Sequence, residues 1–122
     1  NYGGHLSNDS FVGLVHEARL DLLRKLGFSE LDLGDGKTGI IMSDLVINYL
    51  GEGFMFDEIE IQSHVNEIGN ASFRIFHLVR KDEAVIGLVE TGIIAFDYNE
   101  RQIAEVPKEF TESLRKYCDG IK

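Results

Sequence analysis

Several features are scarce in this sequence. Its 122 residues contain one cysteine, Cys118, and one proline, so an intramolecular disulfide is excluded. No apolar run reaches the roughly 18 residues that a membrane-spanning helix needs, and no signal peptide is recognisable. Only 12 residues are Lys or Arg, against 21 that are Asp or Glu, so the phosphates of a nucleic acid would be repelled. These features predict a cytoplasmic protein without a membrane span or a nucleic-acid partner.

The first half of the chain carries one strong helical pattern. Ser7 or Asn8 can cap a helix, and Gly27 can end it. Apolar residues recur between Asp9 and Leu26 at three- and four-residue spacing: Phe11, Val12, Leu14, Val15, Ala18, Leu22, Leu23 and Leu26. They cover about half of the helical circumference, which predicts a helix wrapped by other structure. Arg19 lies inside this apolar arc and needs a partner there.

Most of the remaining chain alternates with period two, which is typical of strands in an antiparallel sheet. The predicted strands are residues 40–50, 58–65, 72–80 and 84–98. Gly92 within the last strand suggests a bulge or a bend. Pro107 is placed to begin a short helix that reaches about Cys118. With no βαβ alternation and a length suited to a single domain, the sequence predicts one α+β domain.

Three familiar sites are disfavoured. Residues 34–38 end in Gly-Lys-Thr, but a phosphate-binding loop needs a glycine at position 31, which is Leu31. The four histidines have no metal-ligand spacing and no accompanying cysteine pair, so no metal site is predicted. No Gly-x-Ser-x-Gly motif is present, which excludes a serine hydrolase of that type.

The start of the long helix is the best candidate for a site. Gly3-Gly4 runs into the capped helix, and the free backbone N–H groups of a first helical turn can hold an anion or a developing oxyanion. Asn1, His5 and Asn8 lie around that turn. Thioester hydrolysis needs such donors together with a carboxylate or an activated water.

A resemblance supports this chemistry. Residues 2–9, Tyr-Gly-Gly-His-Leu-Ser-Asn-Asp, and then Glu17-Ala18-Arg19 on the helix, are similar to the pattern Asp-x-x-Gly-His-x-Asn-Asn followed by Glu-Ala-Arg. That pattern marks hotdog-fold acyl-CoA thioesterases of the 4-hydroxybenzoyl-CoA type. Weaker matches, among them residues 47–49, Asp57, Asp97 and Pro107, extend the resemblance over nearly the whole chain.

The resemblance implies a long central helix wrapped by a five- or six-stranded antiparallel sheet, with residues 1–122 as a single hotdog domain whose first strand could precede residue 1. It also implies a homodimer or a dimer of dimers, with acyl-CoA sites shared between two chains. No separate cofactor is expected, since CoA enters as part of the substrate. By the same resemblance Gly4 and His5 contact the substrate, and the backbone N–H near Asn8 is the oxyanion donor.

The catalytic position of the family pattern is altered. The aspartate that serves as nucleophile or base is replaced by Asn1, whose amide can orient water or substrate but cannot act as that base. Three alternatives follow. Glu17 can supply the carboxylate, an acid before Asn1 can supply it, or the site can bind without hydrolysis. The expected function is therefore acyl-CoA thioester hydrolysis, with a non-catalytic hotdog module that binds an acyl thioester or a protein as the alternative.

Two sets of cations are candidate ligands of the CoA phosphates. Arg74, His77 and Arg80 share one predicted strand and could meet phosphates. Arg19 is interpreted instead as a structural ion-pair partner, because an apolar arc is a costly place for an unpaired charge.

Overall fold

The computed structural model describes residues 8–51 and 58–120. The elements in chain order are α1 (Asn8–Lys25), β1 (Thr38–Tyr49), β2 (Ile59–Asn66), β3 (Ser72–Lys81), β4 (Ala84–Asp97), β5 (Gln102–Ile103) and α2 (Lys108–Gly120). The predicted α+β class is confirmed, and the long helix and four long strands lie within two residues of their predicted bounds. The short strand β5 was not predicted.

Helix α1 packs one face against the sheet. Phe11, Val15, Leu22, Leu23 and Leu26 are all buried, as the apolar spacing predicts. Val12 belongs to the same apolar arc but is 37% exposed, whereas Leu23 on nearly the same side of the helix is fully buried. Gly27 ends the helix with φ of 91° and donates its N–H to the carbonyl of Arg24 at 3.0 Å, which confirms the predicted C-cap.

The strands form one antiparallel sheet in the order β1-β4-β3-β2, and β5 pairs with β4. Side chains alternate between the two faces of each strand. The inner face packs on α1 and carries the buried residues Phe73, Ile75, Val79, Val89, Ile93 and Ala95. The opposite surface, here called the outer face, is half-buried or exposed along the same strands. Whether a residue of a strand has an odd or an even number therefore decides whether its side chain faces α1 or the outer face.

The sheet contains two register shifts. One falls between Met42 and Asp44 of β1, opposite Ile93 and Gly92 of β4. The other falls between Val79 and Arg80 of β3. The bulge suggested by Gly92 therefore exists, but the extra residue lies on the neighbouring strand. An added Cβ at Gly92 would lie 2.0 Å from Asp44 Oδ1, so glycine leaves room there for the side chain of Asp44.

Helix α2 closes the core at the end of the sheet remote from the start of α1. Phe110 is fully buried and its ring lies 5.2 Å from that of Phe28 and 5.0 Å from that of Phe73. Pro107 immediately precedes the helix, and its carbonyl accepts hydrogen bonds from the N–H groups of Phe110 and Thr111. Its predicted position is wrong by one residue, within the usual scatter of helix ends. Neither α1 nor α2 is long and apolar enough to cross a membrane.

Candidate active site

The predicted site residues fall partly outside the described part of the chain. Asn1, Gly4 and His5 lie outside the described residues. Asn8 is the first residue of α1, so the helix begins where the capping pattern placed it. Glu17 lies on an exposed surface of α1 and forms no hydrogen bond or ion pair with the residues that the structure describes.

The start of α1 is fixed against the sheet by Phe11. Its ring lies 5.1 Å from that of Tyr49 at the end of β1. A Cβ at Gly87 of β4 would come within 2.4 Å of the same ring, so the ring lies directly on the backbone of β4. The first N–H groups of a helix have no intrahelical acceptor, and they form the positive end of its dipole. The packing of Phe11 therefore holds a set of anion-binding donors in a defined position.

Glu17 is distant from these donors. It follows Asn8 by nine residues, which separates their backbones by about 13 Å along the helix axis. Glu17 also projects from the helical surface opposite the buried arc of Phe11, Val15 and Leu22. A glutamate side chain cannot span that distance. Within one chain, Glu17 and the N–H groups at the start of α1 therefore cannot act on the same carbonyl carbon.

A groove runs between α1 and the edge strand β2. It has a volume of about 470 Å³ and is lined by Ala18, Asp21, Leu22, Lys25, Ile61, Gln62, Ser63 and His64. Lys25 is paired with Asp21 at 3.1 Å, so the charges on the helix side of the groove are balanced. Its size falls within the range of small-molecule pockets.

A partly buried polar layer on the helix side of the sheet contains Arg19, His16, Glu30, Ser63 and His77. Arg19 is 8% exposed and donates from Nε and Nη2 to Glu30 Oε1 at 3.1 and 3.0 Å. Its Nη2 also contacts Nδ1 of His16. The predicted structural role of Arg19 is confirmed, because its charge is paired inside the helix–sheet interface.

Sequence reasoning did not identify a second pair in this layer. Ser63 Oγ lies 2.7 Å from His77 Nδ1, and His77 Nε2 is buried with no hydrogen-bond partner among the described residues. Burial lowers the pKa of His77 to about 4, assisted by the charges of Arg19 and His64. So weak a base gives little help to a serine nucleophile near neutral pH. The alternation of residues 58–65 predicts that Ser63 faces the same side as Ile59 and Ile61. The sequence does not predict that His77 is its partner, because that depends on the register of β2 against β3.

The predicted phosphate cluster on β3 is not formed. His77 lies on the inner face, whereas Arg74 and Arg80 lie on the outer face, because odd and even positions of a strand point in opposite directions. Arg74 is already paired, with Asp44 at 2.6 Å and with Glu90 at 2.9 Å. The interpretation of these three residues as one phosphate-binding group is therefore wrong.

A family model matches most of the chain and shows which family it belongs to. Residues 1–114 match the model of the thioesterase-like superfamily. The chain belongs to this superfamily. Among curated protein sequences, none matches it.

Solved structures show that this superfamily member has the hotdog fold, as the resemblance implied. A hypothetical protein from Aquifex aeolicus has a TM-score of 0.83 at 21% identity, with 93% of this chain and 89% of that chain covered. A 1,4-dihydroxy-2-naphthoyl-CoA thioesterase from Synechocystis has a TM-score of 0.81 at 14% identity, with coverage of 94% and 86%. A thioesterase from Thermus thermophilus, complexed with coenzyme A and Zn, has a TM-score of 0.76 at 19% identity, with coverage of 93% and 81%. At these identities the likeness shows the fold alone.

No group of three or more His, Cys, Asp or Glu side chains in the described ranges is placed to hold a metal ion. The Asp32 and Asp35 carboxylates are occupied by local bonds. Asp32 accepts from the N–H groups of Gly34 and Gly36, and Asp35 accepts from Lys37 and Thr38. Although burial opposes it, these bonds from Thr38 and Lys37 hold the pKa of Asp35 below its usual value.

Proposed function

We propose that this protein hydrolyses an acyl-CoA thioester to the free acid and CoA, as a hotdog thioesterase of the 4-hydroxybenzoyl-CoA type. The observation that carries the proposal is the start of α1 at Asn8, three residues after the Gly4-His5 pair of the family pattern, with Phe11 fixing that start on the sheet. Membership of the thioesterase-like superfamily supports it. Thioester hydrolysis is the reaction that such a set of donors suits.

The proposed roles follow from the chemistry of each residue. The backbone N–H near Asn8 polarises the thioester carbonyl and stabilises the oxyanion. Gly4 and His5 contact the substrate, and Asn1 orients the water or the acyl group. Glu17 supplies the carboxylate that activates water. No separate cofactor takes part, since CoA is the leaving group of the substrate.

The distance from Glu17 to the start of its own helix makes this a site shared by two chains. About 13 Å separates the two within one chain, so Glu17 must act beside the Asn8 of a second copy. The outer edge of β2 has no partner strand among the described residues, and an unpaired edge is a ready site for pairing with another copy. We therefore propose a homodimer as the smallest active unit, formed in the cytoplasm and able to pair further into a tetramer.

The identity of the acyl group has to be determined by experiment. Structural neighbours include a gentisyl-coenzyme A thioesterase and a 1,4-dihydroxy-2-naphthoyl-CoA thioesterase. We propose that aromatic acyl groups are included among the substrates. Release of free CoA thiol should be measured on a panel of short, long and aromatic acyl-CoAs. If no acyl-CoA on that panel releases thiol, hydrolysis by this protein is refuted.

Two variants test the shared site. Glu17→Gln removes the base while preserving size, and loss of a general base costs about 10²–10⁴-fold in rate. Glu112→Gln, at an exposed position of α2, is the matched control and should retain full activity. Asn8→Pro removes the backbone N–H at the start of α1, where proline is sterically tolerated.

Mixing the two inactive variants distinguishes a site formed between two chains from a site formed within one chain. If Glu17 of one copy serves Asn8 of the other, unfolding and refolding Glu17→Gln together with Asn8→Pro should restore about a quarter of the parental activity, because half of the dimers are mixed and each holds one intact site. No recovery on mixing would contradict the shared site. Full activity of Glu17→Gln alone would contradict its role as the base.

The replacement of the family aspartate by Asn1 favours a second candidate, a non-catalytic module that binds an acyl thioester or a protein partner. An amide lacks the basicity of a carboxylate, so it cannot attack or deprotonate as the family residue does. Asn1→Asp restores that carboxylate. If the parent protein binds acyl-CoA without releasing CoA, while Asn1→Asp does release it, this second candidate is correct.

A further inference from the structure

The groove between α1 and β2 begins beside the proposed base. Asp21 lines the groove and follows Glu17 by four residues, which places the two Cβ atoms about 5–6 Å apart on the helix surface. The helix wall of the groove extends from Ala18 to Lys25, a length of about 10 Å. An acyl group whose thioester carbon lies beside Glu17 can therefore extend into this groove.

The groove has apolar walls and one hydroxyl group on its sheet side. Ala18 and Leu22 of α1 and Ile61 of β2 line it. Ser63 also lines it and, like Ile61, has an odd number, so its side chain faces α1. It is the polar side chain among the residues of β2 that face the helix, and it is half-buried. A single polar group in an apolar pocket can fix the orientation of a ligand.

The position of the proton on His77 decides which hydrogen bond Ser63 offers to a ligand. Burial lowers the pKa of His77 to about 4, so the imidazole is neutral near pH 7 and carries its hydrogen on one ring nitrogen. Nδ1 lies 2.7 Å from Ser63 Oγ, and Nε2 is buried without a hydrogen-bond partner among the described residues. Since a buried N–H without a partner is rarer than such an acceptor, we place the hydrogen on Nδ1. Ser63 Oγ then accepts from Nδ1, and its own hydrogen is free to donate.

The pair of Ser63 and His77 lies at the end of the groove that is nearer Glu17. Arg19 follows Ala18 in the chain and is close enough to His77 to disfavour its protonation. The Ser63 hydroxyl therefore meets the part of an acyl group that is nearest the thioester. An acyl group without an acceptor there would cover the free hydrogen of Ser63 and leave it without a partner, which costs binding free energy.

We propose that the groove selects acyl groups that carry an acceptor oxygen, a ketone or a hydroxyl, close to the thioester, and that Ser63 recognises this oxygen. His77 is a positioning residue, because it acts on the substrate through the orientation of the Ser63 hydroxyl. The inference rests on the proposed thioester hydrolysis and names the class of acyl group within it. It also gives the Ser63–His77 pair a role that does not need a basic imidazole.

Ser63→Ala tests the recognition of the oxygen. The values of kcat/KM should be measured for a β-ketoacyl-CoA and for the saturated acyl-CoA of the same length. Their ratio should fall about three- to tenfold in Ser63→Ala, mainly through KM, because one hydrogen bond between neutral groups is lost. Ser72→Ala, the same change at an exposed position of β3, is the matched control and should keep the parental ratio. Comparing ratios between proteins cancels the different intrinsic reactivities of the two thioesters.

The tautomer of His77 can be observed directly. The ¹⁵N chemical shifts of its two ring nitrogens, measured by NMR on the labelled full chain near pH 7, distinguish an N–H from a lone pair. The hydrogen is expected on Nδ1. A hydrogen on Nε2 would overturn the proposal, because Ser63 would then donate to Nδ1 and have no hydrogen left for a ligand.

The same two thioesters separate a failure of this inference from a failure of the proposed hydrolysis. If the parent releases CoA from them and Ser63→Ala keeps the parental ratio, hydrolysis stands and selection by Ser63 is wrong. If the parent releases CoA from neither, hydrolysis of both is refuted, and the intact thioesters become probes for equilibrium binding. The ratio of their Kd values should then change about three- to tenfold in Ser63→Ala. An unchanged Kd ratio would refute the selection as well.

Discussion

Replacement of Arg19 by methionine should lower stability and leave substrate affinity nearly unchanged. The guanidinium is almost fully buried between α1 and the sheet, and it makes three polar contacts, two with Glu30 and one with His16. Methionine preserves most of the apolar stem and its packing. The loss is then mainly that of hydrogen bonds to a charged group, each of which contributes about 1.5–3 kcal/mol when both partners are buried.

The exposure of Glu30 reduces the expected effect. The side chain of Glu30 is 33% exposed, so its carboxylate can be rehydrated when Arg19 is removed. We therefore expect a loss of about 1–2 kcal/mol, or a melting temperature lower by about 3–8 °C for a domain of this size. Thermal melts of Arg19→Met, Glu30→Gln and the double variant should show that the two losses are not additive. The affinity for a hydrolysable or inert acyl-CoA should be measured on the same proteins. An unchanged melt with lost affinity would show that Arg19 contacts substrate.

Three further perturbations follow from named contacts. His77 is held neutral by the fold, with a pKa near 4 against 6.5 in the unfolded chain, so stability is fully present above pH 6.5 and up to about 3 kcal/mol is lost as pH falls to 4. Chemical denaturation from pH 7 to 4 should show that slope, and His77→Leu should flatten it. Gly39→Ala places a Cβ 2.3 Å from the backbone oxygen of Glu30 and should lower the free energy of unfolding by about 2–3 kcal/mol. Gly92→Ala meets only the ends of side chains and should lower it by less than about 1 kcal/mol. Equal losses in the two variants would contradict this reasoning. Gly13→Ala, with open space around it inside α1, should raise stability by about 0.5–1 kcal/mol in the same denaturation assay, and a loss would show that the position is covered.

The fold was predictable because two different periods divide the sequence. Apolar residues three and four apart specify α1, and alternation specifies β2 and β3. Both patterns are local in the sequence, so they can be recognised without knowing which helices and strands pack together. The segment between α1 and β1 is rich in glycine and acidic residues, yet Leu33 within it is fully buried. Leu31 and Leu33 are too few to show a period, and only the docking of the segment on the core distinguishes the exposed Leu31 from the buried Leu33.

From the sequence, a polar interaction could be predicted only where a charged residue lies among apolar residues and so requires a partner. Arg19 in an apolar arc requires a partner, but nothing in the sequence identifies Glu30, eleven residues away. The pair of Ser63 and His77 depends on the register of β2 against β3, and the loop between the two strands and the alternation of buried residues together set that register. The pairing of Arg74 with Asp44 could not be predicted for the same reason, since Asp44 lies thirty residues away on β1.

The packing of Phe11 on Gly87 separates rate from selectivity in the proposed enzyme. The contact joins a ring to a stretch of backbone, so the position of the donors at the start of α1 does not depend on the residues that would surround an acyl group. Those residues can change without displacing the donors. Conversely, a side chain introduced at position 87 would displace the ring and the start of the helix together, and turnover of every acyl-CoA should fall by a similar factor. The ranking of substrates would stay the same, because the thioester carbonyl is the part that all of them share.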